Sequence, residues 1–341
     1  MLIDRLSSRL QNHPKRVVFA EGADYRIIQA ARLFATRQLG VPILVGDRSV
    51  IKENASRLNI NLEGMRILDP SRSDEIPSFI LKVKEQELLK EMEEEDVRNY
   101  VLQNNYFATL LLESGGADAL ISGATTSISS ALKPILRLIP RRDGVTAASS
   151  LMILEKEDSR LGIQGLLFMG DCGVIPNPNA AQLSDISITI ASIAHHLTNE
   201  IPRVAFLAYS TKSEVPGCNA IAKTQEALTM AQEKAKLLDF RIEIDGEMQV
   251  DAALDPEIAK FKNIQGQVAG QANVLIFPDL NSGNITSKMV QIVAGCRCYG
   301  QIITGLTKPV AEISRGASAH DIFGTSVIVS AQAVDRELLF M

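Results

Sequence analysis

The chain has 341 residues, of which 46% are hydrophobic and 22% charged, and a net charge of −5. This is the profile of a soluble globular protein with one large domain or two of ordinary size. The acidic balance, 5% aromatics and lack of tryptophan exclude non-specific nucleic-acid binding and an aromatic platform for single strands.

Met1 to Leu10, with Asp4, Arg5 and Arg9, reads as an amphipathic helix and not as a signal sequence. No apolar run reaches the roughly 18 residues that cross a membrane, so the cytoplasm is the expected compartment. Arg16 to Ala20 is a strand, followed by a helix carrying Ile27, Ile28, Ala31 and Leu33. Pro42 to Gly46 is the next strand, and Lys82 to Arg98, with Glu91 and Glu93 to Asp96, reads as a solvated helix face. The short strand Ala119 to Ile121 runs into Ser122-Gly123-Ala124. Turn chemistry at Arg141 to Gly144 marks a candidate break. Leu183, Ile186, Ile190, Ile193 and Leu197 recur at spacings of three and four, which predicts a helix entered from Pro176-Asn177-Pro178-Asn179. Val204 to Ala208 and Val274 to Phe277 are near-continuous apolar strands of the kind covered on both faces. Strands alternating with helices predict an α/β fold with mostly parallel sheets. Cys172, Cys218, Cys296 and Cys298 form no CxxC pair, and adjacent His195 and His196 point to different sides of a helix, so free thiols and no metal site are expected.

Four segments carry groups suited to chemistry. Ser314-Arg315-Gly316 precedes an apolar helix whose N-terminus and neighbouring guanidinium suit a phosphate. Asp321 has two readings there: a reactive carboxylate, or the partner of Ser318 in a capping box. Ser122, Gly123 and Thr125 lie in a strand-to-helix turn that either cradles an anion or is a plain turn. Asp245 to Asp251 pairs carboxylates, for which a polar turn is the plainer reading. Phe277 to Asn284 sits beyond a strand's carboxyl end, where ligands gather in open parallel sheets.

Taken in order, these segments resemble the phosphotransacetylase and phosphate butyryltransferase family from about Val17 to Ala333. The resemblance is carried by Val18 to Arg26, Gly116 to Ala124, Asp171 to Pro176 with Ala181 to Ile186, Ser210 to Ser213, Asp245 to Ala253, Gly270 to Val274, Phe277 to Asn284 and Ser314 to Gly316. It implies two α/β domains flanking a cleft, as in the isocitrate and isopropylmalate dehydrogenases, with domain I at 1–148 plus 305–341 and domain II at 149–304. It also implies a homodimer, no metal or cofactor, and the reversible reaction of acetyl phosphate with coenzyme A to give acetyl-CoA and phosphate. By the same resemblance Asp321 is the base toward the coenzyme A thiol, Ser314 hydrogen-bonds the reacting group, and Arg315 balances phosphate charge. Ser122, Gly123, Thr125, Lys133, Lys288 and Arg297 are the expected phosphate and coenzyme A contacts.

The chain departs from the family at several cationic positions. Leu132-Lys133-Pro134 has lysine for the usual arginine, Ile292 stands where a cation is expected, and no arginine matches near Glu87. Thr304, Ala311 and Glu312 replace glutamine, asparagine and aspartate. Arg297 is the expected compensating charge. The alternatives are butyryl specificity, or a non-catalytic acyl-CoA-binding or regulatory homologue. The lack of clustered aspartates disfavours a metal-dependent dehydrogenase.

Overall fold

The computed structural model describes residues 2–85, 93–156, 160–212 and 219–334. They form two compact units, the first holding residues up to Arg141 and from Leu306 onward, the second Arg142–Gly305. The first unit begins with α1 (Leu2–Asn12), β1 (Lys15–Phe19), α2 (Tyr25–Thr36), β2 (Gly40–Val45), α3 (Arg48–Arg57) and β3 (Arg66–Leu68). It continues through α4 (Ile76–Lys84), α5 (Glu94–Val101), α6 (Asn104–Glu113), β4 (Ala119–Ser122) and α7 (Ile128–Leu138). The second unit has β5 (Ser149–Glu155), β6 (Leu166–Gly170), α8 (Ala180–Thr198), β7 (Arg203–Leu207), α9 (Asn219–Ala235) and β8 (Glu243–Met248). It closes with α10 (Val250–Leu254), α11 (Pro256–Phe261), β9 (Val274–Ile276), α12 (Leu280–Val293) and β10 (Arg297–Thr304). The chain then returns to the first unit with β11 (Val310–Glu312) and α13 (Ala319–Val334).

The first unit's strands run β3-β2-β1-β4-β11, all parallel neighbours. Their register puts Phe19 beside Ile121 and Ser122 beside Glu312, so β1, β4 and β11 end level with one another. Val17, Val18, Phe19, Leu120, Ile121 and Val310 are buried without exception, as expected for strands covered on both faces. α13 packs on α1 and α2 and is buried from Asp321 to Gln332. It lacks a polar face because it is a core helix. α2 buries Ile27, Ile28 and Ala31 as expected, with Phe34 in place of the expected Leu33 completing the stripe, and starts at Asp24, whose carboxylate accepts from the N–H groups of Arg26 and Ile27.

In the second unit the order is β10-β5-β6-β9-β7-β8. β10–β5 and β5–β6 are antiparallel; the other neighbours are parallel. The fold is therefore α/β with mostly parallel strands. α8 carries the predicted stripe, fully buried. Asn179 and Gln182 cap it reciprocally, and Asn199 ends it in the left-handed region at φ 58°.

The charged stretch at Lys82 to Arg98 is not one helix in its described part: α4 ends at Lys84 and α5 begins at Glu94. Glu93 to Asp96 are exposed, while Glu87 and Glu91 lie outside the described residues. Cys172, Cys296 and Cys298 are free thiols buried in the second unit's core; Cys218 and Ser213 lie outside the described residues. Among the described residues no helix is long and apolar enough to cross a membrane.

Candidate active site

Three loops meet at the level carboxyl ends of β1, β4 and β11, where open parallel sheets gather ligands. After β11, Ala317 N–H donates to the Ser314 carbonyl (2.9 Å) and Gly316 N–H to Ser314 Oγ (3.3 Å). This tight turn leaves Arg315 exposed. Among the described residues its guanidinium has no carboxylate partner.

The head of α13 is a capping box. Asp321 N–H donates to Ser318 Oγ (3.1 Å). Asp321 Oδ2 accepts from Ser318 N (3.0 Å) and Ser318 Oγ (2.7 Å). The capping reading is thus realised, with the carboxylate buried. The cap places two hydrogens on Oδ2, of the about four lone-pair sites an ionised carboxylate offers. The cap also fixes which way the carboxylate points.

Arg26 holds the loops together. It clasps Asp24 through Nε–Oδ1 (3.1 Å) and Nη2–Oδ2 (2.9 Å). It also donates to the carbonyls of Ala124 (2.7 Å), Arg315 (2.5 Å) and Ala317 (3.1 Å). Burial pushes the Asp24 carboxyl up, but the Arg26 guanidinium and the helix N–H groups outweigh it and hold the group below its ordinary value. The sequence shows Arg26 and Glu21 as parts of a motif and assigns neither a role. Their partners lie some hundred to three hundred residues along the chain, beyond the reach of local periodicity.

In the β4 turn, Ser122 and Gly123 are buried and Thr125 is exposed. The expectation that Gly123 offers its N–H to an external anion is corrected here, because that N–H donates to Glu21 Oε1 (2.9 Å). Gly123 adopts φ +111°, and a Cβ there would come within 2.6 Å of the Ile313 carbonyl. Gly123→Ala is expected to lower stability by roughly 2–5 kcal/mol from strain plus overpacking, measurable by denaturant unfolding. Lys133 is exposed on α7 and, among the described residues, has no carboxylate partner.

Lys288 and Arg297 belong to the second unit. Lys288 is on the exposed side of α12. The expectation for Arg297 is corrected by strand register. Arg297 pairs with Glu155, and Glu155 with Leu166 at the start of β6, whereas the carboxyl end of β6, Gly170, is level with Leu151. Arg297 therefore sits at the amino end of the unit's parallel strands. At about 3.3 Å per residue it is some 13 Å from the end where ligands gather. Its Nη1 lies 3.7 Å from Glu155 Oε2, which also accepts from the Tyr299 hydroxyl (2.5 Å). Arg297→Ala is expected to leave acetyl phosphate saturation unchanged in steady-state kinetics.

The other segments serve the second unit's framework. Asp171 accepts from the N–H groups of Ser150, Gly173, Val174 and Ile175 at 2.8–3.1 Å. Asp279 caps α12. Asp245 pairs with Lys212 (3.0 Å) and Asp251 with Lys262 (2.9 Å), so each carboxylate has its own cation. Thr304 shares a hydrogen bond with Ser149 (2.7 Å) and lines a pocket of about 240 Å³ with Arg142, Thr146, Asp185 and Lys234.

A sequence profile described as phosphate acetyl/butaryl transferase matches residues 1–330. The chain belongs to this family. It is 39% identical over 331 residues to a phosphate acetyltransferase of Helicobacter pylori, an alignment covering 97% of the chain and 61% of that protein. It therefore spans about three fifths of the length of that relative. Over 334 residues it is 37% identical to a phosphate acetyltransferase of Clostridium acetobutylicum, covering 97% of the chain and 98% of that relative. Among solved structures, a phosphotransacetylase from Streptococcus pyogenes superposes with a TM-score of 0.85 at 30% identity, covering 98% of both chains.

Proposed function

We propose that this family member is a phosphate acetyltransferase, interconverting acetyl phosphate plus coenzyme A with acetyl-CoA plus phosphate. Relatives of that name at 37–39% identity support the reaction class. The observation that carries the residue roles is the exposed Arg315 guanidinium beside Ser314, on the loop that leads into the capped Asp321. In this reading Asp321 takes the proton from the coenzyme A thiol, because the thiolate is the competent nucleophile. The sulfur electron pair forms the S–C bond to the acetyl carbonyl carbon. The C–O bond to phosphate then breaks, and phosphate leaves with that electron pair. Ser314 hydrogen-bonds the reacting group. Arg315 meets the phosphate oxygens with its planar fork, with Lys133 and the Thr125 hydroxyl as further contacts. Alignment and electrostatic stabilisation supply most of the acceleration, and the reaction needs no metal or cofactor. Lys288 is retained as a coenzyme A contact on the family resemblance.

The protein is read as a cytoplasmic homodimer. The exposed stripe Ile285, Met289, Ile292 and Val293 on α12 favours self-association of a second copy there; light scattering of the purified protein tests it. The reaction is tested by following thioester formation from coenzyme A with acetyl, propionyl and butyryl phosphate in turn. Fastest turnover with acetyl phosphate supports the reading. Absence of thioester with all three rejects it.

A further inference from the structure

Glu21 follows β1 and is buried, with 8% of its surface accessible. Its Oε1 receives the Gly123 N–H (2.9 Å) and the Thr126 hydroxyl (3.1 Å), and so sits inside the turn between β4 and α7. The Ala124 backbone N–H also faces this carboxyl group; among the described residues its Oε2, sealed from solvent, has no hydrogen-bond partner, and the Ser122 hydroxyl, at the adjoining strand end, is in the same state. A carboxyl group buried this deeply with one oxygen unpaired is unfavourable for folding by itself, since an unsatisfied polar atom carries its full desolvation penalty. Burial correspondingly pushes the Glu21 carboxyl above its ordinary value, against the opposing hydrogen bonds from the turn. An apolar residue or a fully paired one would serve the core better, so the group's use lies in the turn that it organises.

That turn has no room to organise itself otherwise. Gly123 is pinned on one side by Glu21 Oε1, and on the other it stands against the Ile313 carbonyl and the Glu312 carboxylate. Ile313 N–H donates to the Ser122 carbonyl (2.8 Å), and Arg26 ties the Ala124 carbonyl to those of Arg315 and Ala317. A shift of the β4 turn is therefore transmitted directly to the backbone that carries Ser314 and Arg315.

We infer that Glu21 is a positioning residue for acyl phosphate: the carboxyl group occupies the turn's own anion cradle and thereby fixes where Thr125, Ser314 and Arg315 stand. This rests on the reading of that loop set as the acyl phosphate site. Glu21 acts through accepted hydrogen bonds, so glutamine, whose amide oxygen accepts the same N–H and O–H, should replace it, whereas alanine should not.

The experiment compares Glu21→Ala, Glu21→Gln and Glu21→Asp with the wild type, in steady-state kinetics and in calorimetric titration with inorganic phosphate. For Glu21→Ala the expected result is an acetyl phosphate KM raised about tenfold or more, with the coenzyme A KM changed less than about twofold. Glu21→Gln should return both values to near wild type. Glu21→Asp, whose carboxylate falls one methylene short, should resemble alanine while remaining folded, and stands in if the alanine variant does not fold. Equal rises for both substrates, an unchanged acetyl phosphate KM in a folded Ala or Asp variant, or a Gln variant as impaired as Ala would each overturn the inference. If the wild type binds phosphate but makes no thioester, the proposed reaction fails by itself. Weaker phosphate binding in Glu21→Ala or Glu21→Asp, restored in Glu21→Gln, then still supports the role of Glu21, and unchanged binding overturns it.

Discussion

Asp321→Asn is expected to slow acyl transfer by about 10²–10⁴-fold, the range of a lost general base, while shifting Tm by no more than about 2 °C. The two effects separate because Asp321 does two jobs. As a cap it accepts hydrogen bonds from the backbone and hydroxyl of Ser318, and an asparagine carbonyl accepts them equally well. As a base it must take a proton, and an amide at neutral pH does not. Ser318→Ala is the complementary variant. It removes both the donor to Oδ2 and the acceptor for Asp321 N–H, costs about 1 kcal/mol of stability, and keeps the base. An Asp321→Asn enzyme with near wild-type turnover would leave the residue as a cap alone.

Arg315→Ala is expected to lower kcat/KM for acetyl phosphate by about 10²–10³-fold, the effect of removing one preorganised donor to developing charge. Arg315→Lys should recover only part of that loss, since lysine restores the charge without the planar fork. Neither variant should change thermal stability, because the side chain is exposed and, among the described residues, joins no ion pair. Titrating acetyl phosphate at saturating coenzyme A reads the effect. A full rescue by lysine would mean that charge alone matters, and unchanged kinetics in the alanine variant would remove Arg315 from the site.

What the sequence made legible follows from the range of the interaction. Local signals were readable: the apolar stripes of α2 and α8, and the Ser318–Asp321 spacing that became a capping box. The strands β1 and β4 and the near-continuous apolar runs of β7 and β9 are readable too. β5, β6 and β10 are not legible from the sequence, because a short apolar run such as Leu151 to Leu154 is the same for a strand and a buried helix segment until its antiparallel partner is known. The position of Arg297 is hidden for a related reason. Its charge is visible in the sequence, but its end of the sheet is set by pairing with Glu155. Glu21 and Arg26 were visible as letters of a motif. What they hold lies in loops that only the assembled sheet brings beside them.

The first unit draws on segments on both sides of the second, with β11 and α13 following the whole of it. A ribosome therefore emits β1 to β4 long before the helix that α1 and α2 pack against. During synthesis the second unit can finish while the first still shows an uncovered apolar face and the bare edge of β4. Nascent chains halted before Leu306 are for that reason the ones a chaperone should hold longest.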